Sequence, residues 1–415
     1  MPKYVEVVNA LVQWALACLI WVVAFPAKLL LKRDRNLVAV IGRNMTAFAD
    51  NTKHFYSTLS SDGHTTRHVV LVTREPQLVQ ALRELGGRAE RYPHWAAISS
   101  LLRCGTLIVD APEWGSQGVA ALTRGARIVQ LWHGAPLKHI ELDVYRRRKE
   151  TLPGWIRLPL DWQKSAVGRY PIYDDVVVTS RHFADTVFRG AFSARNFPAM
   201  GYPRNDALLN DPWDEEVKSF CKINVDMNTH SAICAARETD RTVCLFMPTF
   251  RGVGDDTLKE VIDLARLSDF AADHRMLVVF KLHPYVESNY DLSGYPALTA
   301  CSPGTDIYPL LPLCDILITD YSSVFFDFLL LDRPIVFLPY DLETYLSSDR
   351  SMYFDYDAMT PGPHCRDMDE LETVLRQIQE GIDEHAEARL RMRQLAHDHC
   401  DGGSSLRISR YLGLS

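Results

Sequence analysis

Nine short apolar runs recur along the chain, and their spacing limits what it can fold into. The first series reads NLVAVIG from 36, HVVLVT from 68, GTLIVD from 105, ARIVQLWHG from 126 and DDVVVTS from 174. The second reads TVCLFMPTF from 242, MLVVFKLHP from 276, CDILITD from 314 and PIVFLPYD from 334. β-Rich runs of this kind, separated by enough residues for a crossover helix, predict parallel, doubly wound α/β sheets. At 415 residues the chain is too long for one core. Two series therefore predict two Rossmann-like domains, 36–208 and 241–415. The polar stretch 209–240 between them has no sustained apolar period and reads as a linker. Neither series carries GxGxxG or a Walker A sequence, which disfavours a dinucleotide dehydrogenase or a P-loop kinase.

A net charge of −7 argues against a general nucleic-acid binder, which needs clustered excess Lys and Arg. Nine scattered cysteines without a CxxC pair suit a reducing compartment better than a disulfide framework. His397, His399 and Cys400 lack partners at zinc-site spacing and read as a helix end before Asp401-Gly402-Gly403; no metal is expected.

The segment 1–35 is of another kind. VVNALVQWALACLIWVVAFPA, residues 7–27, approaches the length of a membrane span and is followed by Lys28, Lys32, Arg33 and Arg35. Basic residues behind the apolar run predict catalytic domains on the cytoplasmic side of a cell membrane. Trp14, Trp21 and the polar breaks equally allow a helix lying in the interface. A second stretch, 144–171, mixes Arg and Lys with Trp155, Ile156, Leu158, Leu160 and Trp162, a composition suited to an anionic membrane surface.

Ligands of doubly wound sheets bind beyond the carboxyl ends of the strands. Polar punctuation after the apolar runs is therefore the place to look. LWHGAPLK offers His133 as a base near neutral pH, Gly134 for close backbone approach, and Lys138. FKLHP offers His283. In TDYSS, Ser322 or Ser323 caps a helix, and the same helix start, with free N–H groups and hydroxyls, can cradle a phosphate. Asp320 would repel phosphate and more plausibly orients the turn or a donor hydroxyl. Arg204 in GYPRND and Arg251 in MPTFRG supply guanidinium forks for phosphate oxygens. DGGSSLR, 401–407, is a further turn able to hold an anion.

In order, LWHGAPLKHI, GYPRNDALL, MPTFRG, KLHP, DILITDYSSVFFDFLLLDRPIVFLPYDLETY and DGGSSLRI resemble motifs of the CDP-glycerol glycerophosphotransferase family, over about 130–407. The resemblance implies a GT-B architecture with two Rossmann-like domains facing a cleft, membrane association and no required cofactor. It also implies transfer of glycerol phosphate from CDP-glycerol, or ribitol phosphate from CDP-ribitol, to a lipid-linked glycan acceptor with release of CMP. By motif, His133 and His283 match the catalytic histidines, and Arg251, Ser322 and Ser323 match positions around the donor pyrophosphate. The candidate donor-side set is Gly134, Lys138, Arg204, Thr249, Arg251, Asp320, Ser322, Ser323, Asp327, Ser404 and Ser405. His133, in the amino-terminal domain, is assigned to the acceptor, and the opposite assignment of the two histidines stays open. Gly252 stands where family versions of MPTFRG usually carry an acidic residue. A nucleotide-sugar glycosyltransferase and a non-catalytic membrane scaffold are the rival readings.

Overall fold

The computed structural model describes residues 31–61, 65, 67–115, 118–150, 170–213, 219–249, 257–282, 291–347 and 351–414. The apolar run 7–27, His283, Arg251 and most of the stretch 144–171 lie outside the described residues. Among those described, no helix is long and apolar enough to cross a membrane.

All nine expected strands form, in two wholly parallel sheets. The first orders its strands β3-β2-β1-β4-β5-β6-β7, from β1 (Asp34–Ile41), β2 (His68–Thr73), β3 (Ala89–Arg91), β4 (Cys104–Val109), β5 (Arg127–Gln130), β6 (Tyr173–Val176) and β7 (Ala194–Asn196). The second orders them β10-β9-β8-β11-β12, from β8 (Thr242–Met247), β9 (Met276–Phe280), β10 (Leu298–Ala300), β11 (Ile316–Thr319) and β12 (Ile335–Phe337). Three strands, β3, β7 and β10, escape the sequence pattern. Each has three residues and sits at or near a sheet edge, where no long apolar run is required.

Why the runs are nearly continuous is visible in the packing. In β1, Leu37, Ala39 and Ile41 join one core, while Val38 and Val40 join another on the opposite face. In β8, Val243 and Leu245 point to the first of these cores and Cys244 and Phe246 to a third. Side chains alternate across a strand, so helices on both faces demand apolar residues at every position. One core contains residues of both sheets and is continuous across the domain interface.

Two expected boundaries shift. Within 209–240, Met227–Glu238 is a helix, capped by the Asp226 carboxylate on the N–H groups of Asn228 and Thr229 and burying Thr229, Ile233 and Ala236. Its narrow buried stripe gave no sustained period. The expected donor domain also loses its end: helix Ser404–Leu412 returns to the first domain, where Ile408 and Leu414 pack with Val38, Phe55 and Tyr56. Tyr411 donates to Asp175 at 2.7 Å and Arg407 to the Met200 carbonyl at 2.7 Å, so the chain's last turns brace the first sheet.

Candidate active site

Parallel strands gather their carboxyl ends on one side, and the two sheets turn these ends towards each other across a cavity of about 750 Å³. From the first domain come Arg43 and Asn44 after β1, Asp110 after β4, and Trp132, His133, Gly134 and Lys138 after β5. From the second come Thr249 after β8, Lys281 after β9, and Tyr321, Ser322 and Ser323 after β11. The cavity thus sits where the open sheets of α/β folds bind their ligands.

The His133 loop is held at every carbonyl. Asn51 donates to the Trp132 carbonyl at 2.8 Å, Arg204 to the His133 carbonyl at 3.0 Å, and Tyr202 to the Gly134 carbonyl at 3.3 Å. Trp132 has a positive φ of 55°, uncommon for a bulky residue and tolerated because Gln130 and Asn51 fix its backbone. Gly134 has φ 146°, and a Cβ there would lie 2.8 Å from the Ser323 hydroxyl of the other domain. Only glycine lets the domains approach so closely at this point.

His133 Nδ1 lies 3.0 Å from the Asp110 carbonyl, which can only accept, so Nδ1 carries the proton and Nε2 is the basic nitrogen. Burial and the nearby Arg43 guanidinium lower the His133 pKa to about 4, against the opposing pull of Asp50. The imidazole is therefore neutral near pH 7 and competent to accept a proton. Beneath it, burial and the neighbouring Asp50 charge raise the Asp110 carboxyl to about 7. Burial also acts to raise Asp50, but Arg204 and Arg43 outweigh it and hold this carboxylate below its usual range.

On the opposite wall the residues differ in kind. Lys281 donates to the Ser302 carbonyl at 2.6 Å and the Thr305 hydroxyl at 2.9 Å while lining the cavity. Ser323 begins the short helix Val324–Phe328 without a side-chain capping bond, and Ser322 Oγ accepts from the Val324 N–H at a long 3.5 Å. The expected serine cap is thus weak. Asp320 is buried and accepts from the Thr249 N–H at 2.8 Å and from its neighbour Tyr321, so it ties two strand ends together and shapes the turn.

Four candidates expected at the donor lie elsewhere. The Arg204 guanidinium is buried, paired with Asp50 at 2.7 Å and with Asp327, and stacked 4.4 Å from the centroid of Tyr308; it is a clamp between domains rather than a phosphate fork. Asp327 is buried under that clamp and also accepts from the Tyr308 hydroxyl at 2.7 Å. The main-chain N–H groups of Ser404 and Ser405 each donate at 2.8 Å to the Asp206 carboxylate, which already occupies the anion position of that turn. Sequence reasoning passed over Arg43, Asp50, Asp110 and Lys281. Arg43, Asp110 and Lys281 follow apolar runs directly, the same signal that singled out His133, whereas Asp50 and Asn51 are placed only by the fold.

A family model described as CDP-Glycerol:Poly(glycerophosphate) glycerophosphotransferase matches residues 23–413. The teichoic acid glycerol-phosphate transferase of Staphylococcus aureus is 31% identical over 289 residues, 68% of this chain and 69% of that protein. The teichoic acid poly(glycerol phosphate) polymerase of Bacillus subtilis is 30% identical over 263 residues, 60% of this chain but only 32% of the polymerase. The chain thus spans about a third of that longer relative. A variant of the wall teichoic acid polymerase TagF soaked with CDPG has a similar fold, with a TM-score of 0.67 and 22% identity over 92% of this chain and 88% of that one.

Proposed function

Because the chain belongs to the CDP-glycerol:poly(glycerophosphate) glycerophosphotransferase family, we propose that it transfers glycerol phosphate from CDP-glycerol to a hydroxyl of a lipid-linked acceptor and releases CMP. The observation that carries this reading is the neutral, backbone-anchored His133 facing a wall of hydroxyls and a lysine across one cavity. The acceptor oxygen gives its proton to His133 Nε2 as it attacks the glycerol-bearing phosphorus. The phosphorus–oxygen bond to CMP then breaks, with the two oxygens in line. Such a reaction asks a protein chiefly for positioning and charge stabilisation. Lys281, Thr249, Ser322 and Ser323 are suited to the pyrophosphate, and Arg43 adds a cation on the acceptor side of the cavity.

A membrane location at the cytoplasmic face belongs to the same proposal and is supported by the apolar run 7–27 with its basic flank. Arg33 is fixed by the Cys104 carbonyl at 2.7 Å, at the amino ends of β1 and β4. A membrane segment leading into Arg33 would therefore join the first sheet at the end away from the cavity, roughly 25 Å off by the rise of an eight-residue strand. The acceptor would have to cover that distance.

The test is incubation of the purified full chain with CDP-glycerol or CDP-ribitol and a panel of lipid-linked acceptors, followed by mass spectrometry of the products. CMP release with addition of glycerol phosphate to the acceptor is expected. Turnover only with nucleotide sugars would sink the proposal. His133→Ala should lower turnover about 10²- to 10⁴-fold without altering the unfolding midpoint.

A further inference from the structure

The wall beneath His133 carries two carboxylates, and they are not equivalent. Asp50 is occupied by Arg204 at 2.7 Å and faces Arg43 at 3.5 Å. Asp110 is 1% exposed; its Oδ2 accepts from the Thr52 hydroxyl at 2.6 Å and the Thr52 N–H at 3.2 Å, in the first turn of helix Asp50–Leu59. Its Oδ1 is buried and has no hydrogen-bond partner among the described residues. Capping the helix accounts for one oxygen and leaves the other unexplained, although buried polar atoms are nearly always paired.

Asp110 lines the cavity, and its own carbonyl receives His133 Nδ1–H. The unused carboxyl oxygen and the proposed base are therefore mounted on the same residue. Phosphate is the wrong complement for a place with two neighbouring carboxylates. A hydroxyl is the right one, because it donates.

We propose that Asp110 binds the hydroxyl adjacent to the attacking one, so that the acceptor is recognised as a vicinal diol at the end of a polyol chain. This rests on the transfer reaction proposed above. The attacking hydroxyl loses its proton to His133 and forms the new phosphorus–oxygen bond as CMP departs. Its neighbour keeps its proton, donates to Asp110 Oδ1 and fixes the attack angle. Asp110 is in this sense a specificity residue for the acceptor.

Two synthetic acceptors with one lipid-phosphate body test the idea, one ending in glycerol and one in 3-hydroxypropyl, which keeps the primary hydroxyl and lacks its neighbour. With CDP-glycerol as donor, and at about pH 8.5 so that the Asp110 carboxyl is ionised, the unmodified protein should favour the diol by about 10- to 100-fold in kcat/KM, the range for one hydrogen bond to a charged group. Asp110→Ala should bring that ratio close to 1. Asp110→Asn can keep the Thr52 contacts through its amide oxygen while presenting an N–H group to the cavity, and its ratio should fall as well; this variant decides the matter if the alanine protein does not fold. Release of CMP with no preference for the diol, or a preference that survives both substitutions, overturns the role of Asp110 and leaves the transfer reaction standing. No transfer to either acceptor, with CDP-glycerol or CDP-ribitol, overturns the reaction itself.

Discussion

Two buried ion clusters tie the domains together, and they respond differently to their surroundings. In one, Arg204 of the first domain is paired with Asp50 of its own domain and Asp327 of the second. In the other, Asp306 of the second domain forms an ion pair with Lys53 at 2.9 Å and a hydrogen bond with His54 at 3.0 Å, both on helix Asp50–Leu59. Arginine cannot lose its proton in a protein, and its two carboxylates raise its pKa further despite burial. The second cluster contains a histidine. Burial works against a charged His54, but the Asp306 carboxylate outweighs it and raises the pKa from 6.5 to about 9. One clamp is permanent and the other conditional. Only the permanent one also grips the His133 carbonyl, so the geometry of the proposed base rests on the contact that pH leaves alone.

Breaking the permanent clamp should have the largest effect. Arg204→Met leaves the buried Asp327 without its cation and Asp50 with Arg43 alone, and should cost about 3–5 kcal/mol, read from urea unfolding. Turnover should fall with it, since the His133 loop loses one of its three carbonyl anchors. An unchanged midpoint would refute the clamp.

The conditional clamp should yield less and should depend on pH. His54 binds its proton more tightly in the folded than in the unfolded chain, so from about pH 6.5 to 9 the folded state holds more protons and raising the pH removes stability. The contribution is complete below about pH 6.5 and lost as pH rises through about 9. His54→Gln should cost about 1.5–3 kcal/mol at pH 6 and much less at pH 9.5. Parallel pH profiles for the two proteins would show that His54 is not the titrating group.

The smallest effect is expected at the returning helix. Asp206→Ala removes the carboxylate that caps Ser404–Leu412 and should cost about 0.5–2 kcal/mol. If the helix also serves as a donor-side loop, CDP-glycerol affinity should change as well. The geometry predicts that it does not.

Much of this molecule was legible in one dimension. The long strands announce themselves because a sheet covered on both faces must be apolar at nearly every residue, and His133 stands out because it directly follows such a run. Arg204 and the 404–405 turn were legible as cations, hydroxyls and free N–H groups but not as to their partners. Their chemistry suits a phosphate equally well, and the carboxylates that satisfy them, Asp327 and Asp206, are remote in sequence. Asp110 could be placed at a strand end but not told apart from a helix-capping residue. That distinction depends on one oxygen meeting Thr52 and the other finding no hydrogen-bond partner among the described residues.

By itself, then, the sequence determined two parallel sheets, the family, and which strand ends would carry polar groups, because these follow from burial pattern and local motif. The tertiary structure alone decided which charges face the cavity and which are consumed in holding the domains together. Pairing of buried charges depends on distances of a few ångströms between residues more than a hundred positions apart, and no local pattern encodes them.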